Sequence, residues 1–298
     1  MGFVKKRFFA KERIKLFLFL MRRLKVSQIE AQRLIDRGRV FVKGETLTDK
    51  AAYIEGEIEV MLFEPNPKGV LPLFETADFA IFEKPSGTMV HPNTRRTPYS
   101  LLDEARHLFG DEANSVHRID KETSGLVLFS KNKRSEKSLK TEFEKKSIYK
   151  EYLALVRGEL SSPLHIEAPI MKNSDFSKIR LKVLVDDRGK FAKTYVEPIK
   201  YLPDIDATLI KAIPLTGRQH QIRAHLFHVK HPIIGDPIYG PETAVSIKYL
   251  EKQLSIAERI KYTGHARLML HANRLRFNYE DTTYDVVSKY DFLSEIYL

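Results

Sequence analysis

The chain contains no cysteine. That absence removes disulfides, thiolate nucleophiles and Cys-ligated zinc together, and it fits residence in the cytoplasm. A long hydrophobic run is also missing. The stretch from Leu16 to Met21 is far shorter than the roughly 20 residues needed to span a bilayer. Arg22 and Arg23 follow it, where small residues would precede a signal-peptide cleavage site. No repeat, low-complexity tract or disorder-type composition stands out. A soluble chain with no membrane partner is the expectation.

What is present is enough to build a sizeable core. With 298 residues and 43% hydrophobic content, the length suits one large domain plus a small one. The formal charge of +11 is unevenly placed: residues 1–50 hold 14 Lys and Arg against 5 Asp and Glu, a net of +9. A local basic footprint of this kind suits a polyanion, whose condensed counterions are released on binding.

Read along the chain, residues 13–24 place Ile14, Phe17, Leu18, Met21 and Leu24 at helical spacing. Ser27-Gln28-Ile29-Glu30 is a capping box that opens a second helix, Gly38 ends it, and residues 39–45 read as strand and turn. Pro and Gly cluster over residues 63–69, a linker signal. Beyond it lie short apolar strands at residues 79–82, 125–129, 152–156, 192–196 and 207–213. Helical spacing recurs at residues 135–145, 219–230 and 246–261. The expectation is an α+β chain: a mixed, mostly antiparallel sheet with flanking helices, preceded by a small α/β domain. The boundaries expected are 1–62, a linker at 63–72, and 73–298.

The stretch most open to chemistry is Val116-His117-Arg118-Ile119-Asp120-Lys121-Glu122-Thr123-Ser124-Gly125, running into Leu126-Val127-Leu128-Phe129. It sets an acid-base group, a planar cation and a carboxylate within four positions, between two apolar runs. From these residues alone it reads more readily as a surface turn capped by Asp120, with Arg118 solvated. A kinase catalytic loop does not fit, because the Arg and Asp are not adjacent and neither an Asp-Phe-Gly triplet nor a Gly-rich phosphate loop occurs. His220, His225, His228 and His231 lie close together, with His225 and His228 on one helix face, but no carboxylate or Cys completes a zinc set. His165-Ile166-Glu167 opens like a zinc deaminase signature without the Cys pair that must follow.

The residues 117–132 resemble the signature of RluA-family pseudouridine synthases, with Ile119 where the usual form has Leu. Residues 83–92 (EKPSGTMVHP), 149–158 (YKEYLALVRG) and 214–226 (PLTGRQHQIRAHL), followed by Gly235-Asp236, resemble the family's other motifs in order and spacing. The likeness runs from about residue 73 to 278. The fold and chemistry it implies are those of an enzyme that isomerises uridine to pseudouridine in RNA, with no cofactor and no metal. The resemblance assigns Asp120 as the catalytic carboxylate, nucleophile or base. Arg223 is its pairing cation, which favours the ionised form, and Tyr152 is the tyrosine that stacks on the base and assists proton removal. Tyr149, three positions away on an alternating strand, points to the other face. Arg118 fills the space of the flipped base. His117 orients the loop, and Lys84, His91, Arg218 and His220 hold RNA or position the loop.

Residues 13–60 resemble a ribosomal-protein S-four-type RNA-binding domain, with Arg22, Arg23, Lys25, Gln28, Arg33, Arg37 and Lys43 as its RNA-facing side chains. Family members carrying that module mostly act on large-subunit ribosomal RNA, which is thus favoured over transfer RNA. A methylating or deaminating enzyme is disfavoured by the missing cysteines. A non-catalytic RNA-binding ribosome factor is the runner-up, since basic residues alone would explain affinity. The segment 241–264 is long for the family, and the sequence leaves open whether it alters RNA contacts or is a neutral surface helix.

Overall fold

The computed structural model describes residues 2–173, 179 and 181–296. The chain divides into two compact units, residues 1–67 with 92–99, and residues 68–91 with 100–298.

In the first unit, β1 (Phe3–Lys15) leads directly into α1 (Leu16–Leu24), followed by α2 (Gln28–Asp36), β2 (Val40–Val42), β3 (Glu45–Thr46) and β4 (Tyr53–Phe63). The strands form one antiparallel sheet in the order β1-β4-β2-β3. Leu16, Leu20, Ala31, Ile35, Val40, Ile58 and Val60 are buried together between helices and sheet. The Ser27–Glu30 capping box is formed as expected, and Gly38 adopts φ +57 behind α2. The helix expected over 13–24 starts only at Leu16. Residues 13–15 finish a strand instead, because Ile14 and Lys15 pair with Ile54 and Tyr53 some 40 positions on, an interaction that local periodicity does not carry.

The second unit contains β5 (Pro72–Glu75), β6 (Phe79–Lys84), α3 (Leu101–Phe109), β7 (Asn114–Ser115), β8 (Ser124–Ser130), α4 (Lys133–Glu144) and β9 (Tyr149–Arg157). These are followed by β10 (Leu164–Glu167), β11 (Ile170–Lys172), β12 (Val183–Val185), β13 (Lys193–Leu202) and β14 (Ala207–Pro214). Then come α5 (Gln221–His228), α6 (Thr243–Leu250), α7 (Ile256–Thr263), β15 (Leu270–Tyr279) and β16 (Thr282–Val287). Among the described residues the large sheet has the order β10-β13-β14-β9-β15-β8-β6-β5, with β16 on β15 and β7 on β8. Its pairings are antiparallel except β15 with β8, which run parallel through His271 opposite Ser124 and Ala272 opposite Gly125. At that point Gly125 has φ +106, and a Cβ there would lie 2.3 Å from the carbonyl oxygen of Ala272. No other residue fits.

Two apolar clusters flank this seam. Ala154, Val156, Val196, Ile210, Ile222, Leu226 and Met269 fill one, with α5 laid against β12, β13 and β14. Phe79, Ile81, Leu126, Leu128, Leu139 and Phe277 fill the other, under α4. The single helix expected over 246–261 is two. Lys252 turns into the left-handed region at φ 60, and Ser255 with Glu258 forms a new capping box. Among the described residues, no helix is long and apolar enough to cross a membrane.

Candidate active site

The loop from Val116 to Thr123 joins β7 to β8 and is pinned at both ends. Val116 N–H donates to the Leu128 carbonyl at 2.9 Å. His117 Nε2 accepts from the Leu128 N–H at 3.1 Å, and its ring stacks on Phe143 with centroids 4.6 Å apart. A ring nitrogen that accepts must be unprotonated, and burial with the nearby Lys150 charge pushes this imidazole down to about 3. At the far end Thr123 N–H closes a turn on the Asp120 carbonyl at 3.2 Å.

The residues 83–92 support the same loop. Lys84 is 1% exposed, and its Nζ donates to the carbonyls of Pro85 (2.9 Å), Thr88 (2.8 Å) and Lys121 (3.0 Å). Gly87 N–H reaches the Lys121 carbonyl at 2.9 Å, and Ser86 Oγ the Glu122 carbonyl at 2.6 Å. Burial drives the Lys84 amine down to about 7, against the raising charges of Glu122 and Asp120. Of the two roles the sequence left open to Lys84, its geometry suits loop positioning, because an ammonium bonded to three carbonyls is not offered to RNA. His117 is likewise a pin, and its ring is turned to the protein.

Arg223 arrives from the other side of the sheet, in the first turn of α5. His220 precedes the helix at φ 52. The guanidinium is 2% exposed and is held by two carboxylates. Nε and Nη2 take Asp236 bidentately at 2.7 and 2.9 Å, while Nη1 takes Asp120 Oδ2 at 3.0 Å. Asp236 Oδ1 also accepts from the N–H groups of Ile238 (2.8 Å) and Tyr239 (3.0 Å). Burial alone would push the Asp236 carboxyl up, but the Arg223 charge and these N–H bonds outweigh it and hold the group below the usual carboxylate range. With Nε and Nη2 fixed on Asp236, Nη1 is held in a set direction, and it donates to Asp120. The Asp120 side chain keeps 25% of its surface exposed, so it is both held and reachable.

Two more groups border Asp120. His220 Nε2 stands 3.8 Å from Asp120 Oδ2. Burial and the Arg223 charge press this imidazole down to about 4, so at neutral pH the contact is not an ion pair. Its Nδ1 lies 3.2 Å from the Tyr239 hydroxyl, and the Tyr239 ring lies under Arg223 at 5.1 Å. Tyr152 sits on β9 between Ala212 and Ala272, two small neighbours that leave its ring room. Burial and then the Asp120 charge raise its phenol, which is protonated at neutral pH. Tyr149 and Glu151 share the opposite face, where the Tyr149 hydroxyl donates to Glu151 at 3.0 Å.

Asp120, Arg223, His220 and Tyr152 therefore come together from residues spread over a hundred positions. Arg118 is exposed beside them, and His91 and Arg218 are half-buried, with Arg218 Nε donating to the Phe191 carbonyl at 3.0 Å. Asp236 and Tyr239 were not among the sequence candidates, although Gly235-Asp236 had marked the place. His225 holds Thr194 Oγ1 and the Ala168 carbonyl at 2.9 Å on its two ring nitrogens, so it makes no metal pair with His228. In the first unit Arg22, Arg23, Lys25, Gln28, Arg33, Arg37 and Lys43 are all exposed, on or beside α1, α2 and the β2–β3 turn.

Residues 78–228 match the family model described as RNA pseudouridylate synthase. An RNA pseudouridine synthase of Helicobacter pylori is 37% identical over 290 residues, which cover 97% of this chain and 94% of that protein. The Haemophilus ducreyi protein named ribosomal large subunit pseudouridine synthase C is 32% identical over 284 residues, covering 89% of this chain and 84% of that one. Among solved structures, human RNA pseudouridylate synthase domain containing 1 superposes with a TM-score of 0.61 at 25% identity, over 78% of this chain and 89% of that chain.

Proposed function

Because the chain belongs to the RluA family of RNA pseudouridine synthases, we propose that Asp120 is its catalytic carboxylate and large-subunit ribosomal RNA its substrate. The observation that carries the first part is the bridge from Asp236 through Arg223 to Asp120, with Tyr152 close enough to feel the Asp120 charge. Isomerisation cleaves the bond from sugar to base nitrogen, turns the base and joins the sugar to a base carbon, with no redox step. Among the described residues Arg223 binds Oδ2 of Asp120, which leaves Oδ1 for the sugar, as nucleophile at the anomeric carbon or as base at its neighbour. Tyr152, a neutral phenol, provides a ring for the base to stack on and a hydroxyl that can relay the proton leaving the new carbon bond, its oxygen accepting that proton as its own O–H proton passes on to solvent. Arg118 occupies the gap left by the flipped base. A purely binding protein has no use for a buried cation shared by two carboxylates, which is costly to desolvate.

The ribosomal assignment is supported by the Haemophilus ducreyi relative's name and extent and by the exposed cations of residues 1–62, a stretch within the first unit that we propose to be an S-four-type RNA-binding module. Replacing Arg22, Arg23, Arg33 and Arg37 together by Ala should weaken RNA binding and lower its salt slope by roughly one for each phosphate no longer neutralised. A filter-binding titration from low to high salt measures it, and an unchanged slope removes these residues from the RNA surface.

The function itself is tested by pseudouridine mapping, with carbodiimide adducts and reverse-transcription stops, on large-subunit ribosomal RNA and bulk transfer RNA from cells lacking the protein. A ribosomal site that vanishes and returns with the wild-type gene supports both parts. A transfer-RNA site redirects the substrate, and no change in either RNA overturns the reading.

A further inference from the structure

The segment 241–264, for which the sequence offered no role, ends in a buried contact with the catalytic loop. Arg259 of α7 keeps only 12% of its side-chain surface, and Glu122, two residues after Asp120, keeps 11%. Arg259 Nη2 donates to Glu122 Oε2 at 2.8 Å and to the Gly235 carbonyl at 2.9 Å. Gly235 immediately precedes Asp236. One nitrogen thus ties the loop that carries Asp120 to the turn that carries Asp236, the two carboxylates between which Arg223 is suspended.

Neighbouring contacts make the tie rigid. The Tyr249 ring of α6 lies against the Arg259 guanidinium at 5.5 Å, and its hydroxyl is near enough to the Glu122 carboxylate for each to shift the other's titration. Gly235 N–H donates to the Thr263 carbonyl, at the end of α7, at 2.8 Å. A Cβ on Gly235 would fall 1.7 Å from the Arg267 carbonyl oxygen, so the turn is packed with no room to drift. Burial pushes the Glu122 carboxyl up, but the Arg259 charge and bond and the Tyr249 hydroxyl prevail and hold it below its ordinary range. The pair is therefore charged at neutral pH. By contrast Lys248–Glu258, on the same segment, is a solvent-exposed pair, with 49% and 35% of the two side chains open, the kind that contributes little.

We propose that Arg259 is a positioning residue for the isomerisation: through Glu122 and the Gly235 carbonyl it sets the separation of Asp120 and Asp236, and so the aim of Asp120 at the sugar. The proposal rests on the assignment of Asp120 as the catalytic carboxylate. It makes α6 and α7 a brace for the chemistry, acting from behind the reacting atoms, and predicts that damage appears in turnover and not in RNA affinity.

The test uses the full-length protein on an in vitro transcript of the RNA identified by mapping, with single-turnover rate, RNA affinity and thermal melting measured for each variant. Arg259→Gln should lower the rate by about 10- to 100-fold, the scale of a small misplacement of a reacting group, while the dissociation constant stays within about twofold. Arg259→Lys should recover part of the rate, because the two bonds come from a single nitrogen. Glu122→Gln should reproduce the loss, the double variant should be no slower than the worse single one, and Lys248→Ala should match wild type. A folded Arg259→Gln protein with wild-type rate overturns the proposal, as does a loss confined to RNA affinity. If Arg259→Gln does not fold, the near-isosteric Glu122→Gln decides by the same two readings. Asp120→Asn separates the layers: if it retains turnover the site assignment falls, and if it is dead while Arg259→Gln and Glu122→Gln are normal only the brace falls.

Discussion

Asp120→Asn should turn RNA over at least about a thousandfold more slowly than wild type, the scale of losing a reacting side chain, while binding RNA as tightly or more tightly. The substitution keeps the shape of the side chain and a carbonyl oxygen able to accept from Arg223 Nη1, so the loop between its pins at His117, Lys84 and Thr123 stays in place. What disappears is the negative charge that, in the proposed role, attacks or deprotonates the sugar. Affinity does not suffer, because a carboxylate repels phosphate and its removal leaves the Arg223 charge less compensated. Single-turnover assays and a binding titration on the same RNA separate the two quantities. A variant with more than a tenth of the wild-type rate would send Asp120 back to being a turn residue.

Arg223→Lys should damage both turnover and stability. The guanidinium supplies three N–H groups in fixed directions, two for Asp236 and one for Asp120, and an ammonium cannot reproduce that fork. With Arg223 and Asp236 almost fully buried, disrupting the pair should cost about 3–5 kcal/mol, lowering the melting temperature by roughly 10 °C in a domain of this size. Below the melt, the rate should fall at least about a hundredfold as Asp120 loses its anchor. Asp236→Asn tests the other end. Because the folded Asp236 carboxyl is held below its ordinary range, the stability it brings is present above the unfolded value of about 4 and is lost as pH falls through the folded one. The gap between wild type and this variant should therefore be widest near neutrality and narrow in acid. A pH-independent gap would mean that Asp236 acts by packing alone.

The parts legible in the sequence are those encoded locally. Ser27 and Glu30 are three positions apart and their reciprocal bonds formed as read. The strands at residues 79–82, 125–129 and 207–213 carry their own apolar runs and are embedded in the sheet. Asp120, Tyr152 and Arg223 were found through motifs, and their meeting depends on the sheet that motifs cannot draw. What was missed depended on distant partners. β1 forms because residues near 60 pair with residues near 5, and a strand dotted with Lys and Arg gives little apolar signal by itself. Lys84 was left between holding RNA and positioning the loop, because a choice between them needs the three carbonyls that close around it, and one of these, on Lys121, lies 37 positions away. Asp236 was overlooked because a carboxylate 13 positions beyond Arg223 has no sequence mark of being its partner. The break within 246–261 did have one: Ser255-Ile256-Ala257-Glu258 repeats the capping pattern of Ser27.

The parallel seam between β8 and β15 divides the large sheet into two groups of strands whose members are 140 or more positions apart where they touch. Asp120 enters from the β8 side, whereas Arg223 follows β14 and belongs to the β9–β14 side. A chain emerging from synthesis can complete β6 and β8 early, but β15 is not available until residue 270 and beyond. Contacts of such long sequence separation are the slow ones to close. The carboxylate and its cation therefore exist as a pair only once the last strands have docked along Gly125. A chain folded only as far as β8 thus carries the motif without its partner cation in place.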